Sequence, residues 1–391
     1  LFQIDMRIPP GEACIVGARC RDRRQPRLST SRRVVDNRRM GHRVTLEGSG
    51  KRFTVESGET VLEAARRAGL ALPYSCRSGR CGSCKATLVA GECDYPDQPP
   101  TALSREERAQ HQVLLCQAVP RSDLVLVARE VPSVAELPPR VLPLKLVERT
   151  LLAPDVMRLV LRPPRDARLR WLAGQYLDVL LEGGRRRAFS IANAPEAAEH
   201  VELHIRHVSG GGFTHRVFHE LAVGAVLRVE GPLGTFVPRE DSERALLLVA
   251  GGTGFAPLKA IVEHFLHLGS TRPIHFYWGV RSERDLYLPA LPAEWTARHA
   301  ALYFTSVLSE PEGPESGRHR TGFVHEVVTA DFPDLSEFDT YMSGPPAMIE
   351  AARRAFVAAA LPEQRLYYDS FDYAPEVLAA ILGARAGLRS G

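Results

Sequence analysis

A chain of 391 residues, 45% hydrophobic and 25% charged, has room for two or three domains with separate cores and the balance of an ordinary globular protein. No apolar run approaches the roughly 18–20 residues that cross a bilayer, and no signal-peptide core is present at the N-terminus. The net charge of +4 is unevenly spread: ten arginines against four carboxylates give residues 1–40 a charge of +6 and leave −2 for the rest. That arm lacks helical periodicity and interleaved aromatics, and "MGHRVTL" at Met40 reads as a start. Residues 1–40 are therefore expected to be a basic, disordered leader and not a nucleic-acid site. Seven cysteines, three of them between positions 76 and 84, favour thiolate ligands in a reducing, cytoplasmic setting over a secreted disulfide frame.

Residues 41–131 read as one small unit. "RVTLEGSGKRFTVES" (43–57) predicts two strands about a glycine-rich turn. "ETVLEAARRAGL" follows with Val61, Leu62, Ala65 and Ala68 on one helical face and Gly69 closing it. "KATLVAGE" and "DLVLVARE" add strands to a mixed sheet. A proline-rich stretch, centred on residues 132–139, reads as a linker. Over 140–238, "LKLVERT", "VMRLVLRP", "QYLDVLL", "RAFSIAN", "VELHIRHV" and "VLRVEGP" are short strands with turn signals between them, the pattern of an antiparallel barrel. From 239 to 373 the rhythm becomes strand, glycine turn, helix, as in "ALLLVAGGTGFAPLKAIVEHFLHLG" and "TYMSGPPAMIEAARRAFVAAALP", which predicts a parallel α/β sheet. The tail, 374–391, suggests one more short helix.

"CRSGRCGSCKATL" places Cys76, Cys81 and Cys84 among glycine, serine and arginine. Zinc sites usually draw on two close cysteine pairs, whereas Cys-x4-Cys-x2-Cys with a distant fourth cysteine is the plant-type [2Fe–2S] spacing. Cys116, in "VLLCQAVP", is the candidate fourth ligand. Glycine and serine let the backbone wrap and aim N–H groups at sulfur, and Arg77, Arg80 and Lys85 would offset the charge gained on reduction. Cys93 reads as a spare thiol, and Cys14 and Cys20 fall in the leader. A zinc-stabilised module without redox activity is the rival from another class.

"AGGTGFAP" (250–257) opens a helix after a buried strand, where glycines let backbone N–H groups approach a pyrophosphate. Such a turn alone is weak evidence. "RRRAFSIAN" offers a cation for phosphate (Arg187), an aromatic face (Phe189) and a hydroxyl (Ser190). "SGGGFTHRVFHEL" is a second glycine loop entering a helix with Val217, Phe218 and Leu221 on its apolar face; Thr214 would cap that helix or donate to phosphate. Nicotinamide gives up two electrons together as hydride, while a [2Fe–2S] cluster takes one. A chain with both sites implies a flavin between them.

Taken in order, "RAFSIAN", "GGGFT", "EGPLGTF", "GGTGFAP" and "SGPPAM" resemble the ferredoxin–NADP reductase superfamily, and residues 42–130 resemble plant-type ferredoxins. The combination is similar to reductase components of bacterial oxygenases of the phenol hydroxylase type. Through "LLCQAVPRSDLVLVARE" and "FYWGVRSERDLYL" it also resembles the CDP-6-deoxy-delta-3,4-glucoseen reductases. The resemblance implies a β-grasp ferredoxin-like domain, an antiparallel FAD-binding β-barrel and a Rossmann-like α/β domain for NADH or NADPH. Electrons would run from NAD(P)H through FAD and the [2Fe–2S] cluster to a partner oxygenase or dehydratase-type enzyme, from a chain that is monomeric by itself. A flavin or ferric reductase with an ancillary cluster is the rival within enzymes.

By the same resemblance Arg187 would bind the flavin phosphate, Phe189 would pack on the isoalloxazine and Ser190 would lie near N5. Gly211, Gly212 and Thr214 would hold the pyrophosphate of FAD. Gly251, Gly252, Thr253 and Gly254 would cradle the nicotinamide nucleotide, with Pro257 starting the helix, Arg281 facing the adenosine ribose and Phe371 lying close to the flavin. The superfamily usually has cysteine before "GPP"; this chain has Ser343 ahead of Gly344 and Pro345, which implies less efficient hydride transfer.

Overall fold

The computed structural model describes residues 41–96, 98–208, 210–311 and 317–371. The expected leader with Cys14 and Cys20, and the expected C-terminal helix, lie outside the described residues, all of which fall within one compact unit.

The first segment contains β1 (His42–Leu46), β2 (Arg52–Val55), α1 (Val61–Arg67), β3 (Lys85–Ala90), β4 (Cys93–Asp94), α2 (Arg105–Ala109), β5 (Gln112–Leu114), β6 (Val119–Pro120) and β7 (Leu124–Val127). Five strands form a sheet in the order β2-β1-β7-β3-β5, with β1 and β7 parallel and the other pairs antiparallel. This is the β-grasp arrangement, and α1 lies across it. A capping box fixes the start of α1: Thr60 Oγ1 accepts from Glu63 N, and Glu63 reaches back to Thr60 N. The buried face of α1 is Val61, Leu62, Ala64 and Ala65. Ala68 is exposed at the C-cap, so the predicted stripe is one turn too long.

The stretch read as a linker contains a short helix, α3 (Pro132–Ala135). Its Val134 packs with Ala71 of the first segment and Val237 of the second, and Val131 N donates to Ala71 O at 2.9 Å. The linker thus has its own apolar contacts on both sides.

The second segment comprises β8 (Arg140–Ala153), β9 (Val156–Arg162), β10 (Tyr176–Leu180), β11 (Arg186–Ser190), β12 (Val201–Arg206), α4 (Gly212–His219) and β13 (Val226–Leu233). Its sheet is antiparallel in the order β11-β10-β13-β8-β9-β12. An antiparallel bridge from Ile191 to Leu203 brings the two edges together beyond β11. Alternate residues of these strands, among them Leu144, Leu159, Leu177, Val179, Leu203 and Val229, fill the interior.

The third segment holds β14 (Ala245–Gly251), α5 (Phe255–His267), β15 (Ile274–Val280), α6 (Leu291–Arg298), β16 (Leu302–Leu308), β17 (Arg320–Thr321), α7 (Val324–Asp331), β18 (Phe338–Gly344), α8 (Pro346–Ala358) and β19 (Leu366–Ser370). All six strands are parallel, in the order β17-β16-β15-β14-β18-β19. Both faces are covered by apolar layers, which is why β14 and β18 read as continuous buried runs. Chain order reverses between β14 and β18, and the crevice beyond the C-terminal ends of such strands is where doubly wound sheets bind ligands.

Candidate functional site

The cysteine loop connects α1 to β3 and turns on left-handed residues at Arg77, Gly79 and Gly82. Ser78 N and Cys81 N each donate to Cys76 Sγ at 3.4 Å, and Ser83 N donates to Cys81 Sγ at 3.4 Å. Cys116, beyond β5, is brought beside Cys84; both are buried. The thiols associate two by two. A hydrogen bond from Cys81 lowers the Cys76 thiol below its usual range, and one from Cys84 lowers that of Cys116. Among the described residues no group of three His, Cys, Asp or Glu side chains surrounds one point as a single metal ion requires. Two thiol pairs wrapped by backbone N–H groups suit a two-iron cluster, with two sulfurs for each iron.

Beside this loop lies a cavity of about 1100 Å3 whose wall is drawn from all three segments. The first contributes Cys76, Cys116 and Arg77; the second Arg187, Phe189, Ser190, Gly211 and Thr214; the third Gly251, Gly252, Thr253, Arg281, Pro345 and Phe371. Its size admits a dinucleotide and leaves room for a second ligand ring.

The local geometry explains these placements. Phe189 faces Phe213 of α4, with ring centroids 5.6 Å apart. The loop Gly251–Gly254 lies against the end of β18 so tightly that a Cβ on Gly254 would fall 1.9 Å from Ser343 O. Only glycine allows that approach, so Gly254 holds the turn against the sheet and does not line the cavity. Pro257 is buried within the first turn of α5. Phe371 N donates to Gly344 O at 3.0 Å, which sets the aromatic at the cavity edge. Arg281 is paired with Asp285 at 3.4 Å.

Besides Gly254, four expected residues are placed differently from their sequence reading. Thr214 neither caps α4, whose N-cap is Gly211 without a side-chain bond, nor points its hydroxyl outward. Its Oγ1 donates back to Gly211 O at 3.0 Å, bracing the loop it belongs to. Gly212 is exposed off the cavity wall. Ser343 is fully buried in β18 between Ala250 of β14 and Asp369 of β19, and its Oγ has no hydrogen-bond partner. Burial at the strand end keeps it, like Gly344, off the wall.

Several wall residues escaped the sequence reading, Asp369 and Arg206 among them. Asp369 accepts from Ser75 Oγ at 2.5 Å and from Ser190 Oγ at 3.2 Å; burial raises its carboxyl to about 6 against the pull of those two bonds. Arg206, at the end of β12, stands over the glycine loop, with Nη1 3.0 Å from where a Gly252 Cβ would be. Asp155 lies 3.2 Å from its Nε, but the alignment is poor, so Nε and Nη2 stay without a hydrogen bond. A partly buried guanidinium beside a glycine turn, ion-paired with Asp155 and with Asp285 at 3.9 Å but keeping donors without a hydrogen bond, suits an anion. In the sequence Arg206 is one polar position of an alternating strand, and nothing marks it.

A cavity that joins a thiol-lined loop, a flavin-type sheet and the switch point of a parallel sheet defines an electron-transfer flavoprotein with an iron–sulfur centre. Comparison with known proteins agrees segment by segment. Residues 44–121 match the 2Fe-2S iron-sulfur cluster binding domain, 143–237 the oxidoreductase FAD-binding domain and 248–354 the oxidoreductase NAD-binding domain. A CDP-6-deoxy-L-threo-D-glycero-4-hexulose-3-dehydrase reductase of Yersinia pestis is 39% identical over 85% of this chain and 99% of its own length. The reductase component of a Pseudomonas phenol 2-monooxygenase is 34% identical over 85% and 95%. Among solved structures, a cytochrome P450 reductase of Amycolatopsis superposes with a TM-score of 0.68 at 34% identity, over 84% of this chain and 98% of that one. The chain belongs to this family of NAD(P)H-dependent iron–sulfur flavoprotein reductases, whose cofactors are a [2Fe–2S] cluster, FAD and a nicotinamide nucleotide.

Proposed function

We propose that this reductase delivers electrons from NADH or NADPH to a separate acceptor protein, an oxygenase or a dehydratase-type enzyme, of the kinds that its relatives' names describe. The observation that carries the reading is the shared cavity, in which Cys76, Ser190 and Thr253 lie on one continuous wall. FAD bound there would supply the conversion of a two-electron hydride donor into single electrons, and a cluster held by Cys76, Cys81, Cys84 and Cys116 would supply a one-electron outlet.

The chain's own residues would act as follows. Phe189 offers a ring face to the flavin, and Ser190, whose hydroxyl donates to Asp369, presents its oxygen on the cavity wall beside the reacting edge. Arg187 meets a phosphate of FAD, while Gly211 and the loop braced by Thr214 provide backbone N–H groups. Gly251, Gly252 and Thr253 approach the nicotinamide nucleotide with Arg206 alongside, and Arg281 reaches its ribose end. Phe371 shields the flavin side of the cavity from water. Cys76 and Cys81 would hold one iron, and Cys84 with Cys116 the other. Among the described residues no helix is long and apolar enough to cross a membrane. Work in a reducing compartment such as the cytoplasm fits the free thiols at 76, 81, 84, 93 and 116.

The test is an absorption and EPR experiment on purified protein. Flavin bands with an iron–sulfur shoulder that bleach on NADH, followed by a reduced-cluster signal, are expected. A colourless protein holding one zinc per chain would overturn the proposal.

A further inference from the structure

The residues on either side of Cys76 are both tied to the flavin-binding segment. Ser75, immediately before it, is buried and held at two points: its Oγ donates to Asp369 at 2.5 Å, and its carbonyl accepts from Tyr176 Oη at 2.8 Å. Arg77, immediately after it, is ion-paired with Asp178, which is 2% exposed. Tyr176 and Asp178 are i and i+2 on β10, so both project from one face of that strand toward the cysteine loop. Asp369 in turn is hydrogen-bonded to Ser190 on β11, the strand that flanks β10.

Arg77 also adopts φ 57°, a conformation that residues with a side chain seldom take up. Glycine would suit that backbone better, and the loop already uses glycine at 79 and 82. An arginine held there against its backbone preference has a use for its side chain, and the side chain is spent on Asp178. Asp178 is not left to Arg77 alone, since Arg186 lies 3.7 Å away. That second contact is the weaker one, because Arg186 is bound more closely to Glu230, so Arg77 is the main partner of the Asp178 carboxylate and the pair ties the cysteine loop to β10.

From this geometry we infer that Ser75 and Arg77 form a two-point clamp that fixes Cys76, and with it one edge of the cluster, at a set position against the flavin sheet. They are positioning residues for the passage of one electron from NADH-reduced flavin to oxidised cluster. No bond to either residue forms or breaks in that step, and neither takes up a proton. The inference rests on the electron route proposed above and adds the device that sets its intramolecular gap.

The test uses the full chain with its cofactors, in four forms: wild type, Ser75→Ala, Arg77→Gln and the double variant, with Ser75→Thr and Arg77→Lys as conservative controls. Stopped-flow absorbance separates flavin reduction by NADH from the later bleaching of the cluster, and hydrogen–deuterium exchange reports on residues 75–85. Flavin reduction should change much less than cluster reduction, although Ser75 and Arg77 border the cavity and Ser75 bonds the Asp369 that orients Ser190, and cofactor content is measured in every form. Cluster reduction should slow by about threefold or more in the double variant, since the protein's part is to position the cofactors and electron passage falls off exponentially as the gap between them widens. Exchange in the loop should rise, and the conservative controls should recover most of both effects. Cluster reduction at the wild-type rate in the double variant, or unchanged loop exchange, would overturn the clamp while leaving the route intact. Equal slowing of both steps would also overturn it, as the sign of general damage. A wild-type cluster that NADH never reduces would overturn the route and the clamp together.

Discussion

At the scale of single residues, the cysteine spacing was the most legible part of the chain, because three thiols so closely spaced with a fourth downstream have few uses other than the iron–sulfur domain that residues 44–121 match. Their pairing was not legible, since it depends on how β5 carries Cys116 back beside Cys84. Cys116→Ser is expected to abolish the iron–sulfur absorbance while leaving bound FAD and its reduction by NADH unchanged; full cluster absorbance in that variant would reject Cys116 as a ligand. Ser343 was legible as a departure from the superfamily, but its burial was not. A buried hydroxyl without a partner costs about 1–3 kcal/mol, so Ser343→Ala should stabilise the protein without nucleotide by roughly 1 kcal/mol in urea unfolding. A clear loss of stability would mean that Oγ has a partner on the backbone around it. Asp369 and Ser75 could not be recognised at all, because each gains its meaning only from the other, 294 positions away.

At the scale of elements, strand rhythm gave the barrel strands and the parallel sheet, yet it said nothing about what covers their polar faces. β12 shows why. Val201, Leu203 and Ile205 point into the barrel, and Glu202, His204 and Arg206 alternate with them. Such alternation predicts a wet outer face, but here Glu202 and His204 are buried against the third segment. Glu202 pairs with Lys259 of α5 at 3.3 Å, and His204 Nδ1 meets Tyr287 Oη at 3.1 Å. Although burial pushes the Glu202 carboxyl up, the His204 hydrogen bond, Lys259 and Arg158 hold it far below the ordinary carboxylate range. A depressed carboxyl contributes stability above its unfolded value near 4.3 and loses it as pH falls toward the folded value. Lys259→Met is therefore expected to destabilise the protein by about 3 kcal/mol at pH 7, with the gap to wild type narrowing below about pH 4. Urea unfolding at several pH values checks this, and a gap independent of pH would show that Glu202 gains nothing from Lys259.

At the scale of the whole molecule, each of the three segments has its own apolar core, so each could be recognised from its own pattern. What periodicity cannot carry is their mutual docking, which rests on buried polar contacts, on the small apolar joint of Ala71, Val134 and Val237, and on Ala153, Val156, Ala173 and Phe236 of the second segment entering the apolar core of the third. Asp369 is the point where all three meet, taking hydrogen bonds from Ser75 of the first segment and Ser190 of the second. Burial raises its carboxyl to about 6, in spite of those two bonds, against an unfolded value near 3.9. Between these two values the folded protein holds a proton that the unfolded chain has released. Stability from this group is therefore full below about pH 4 and is lost as pH rises through about 6, by roughly 3 kcal/mol at most. Asp369→Asn keeps an acceptor for the serines but has no proton to lose. Relative to wild type, the variant should gain stability steadily from pH 4 to pH 6.5 and no further above that. Thermal unfolding of both proteins across this range is the measurement. A difference that stays constant with pH would mean that Asp369 is ionised throughout, and that the three segments meet on a buried carboxylate and not on a carboxylic acid.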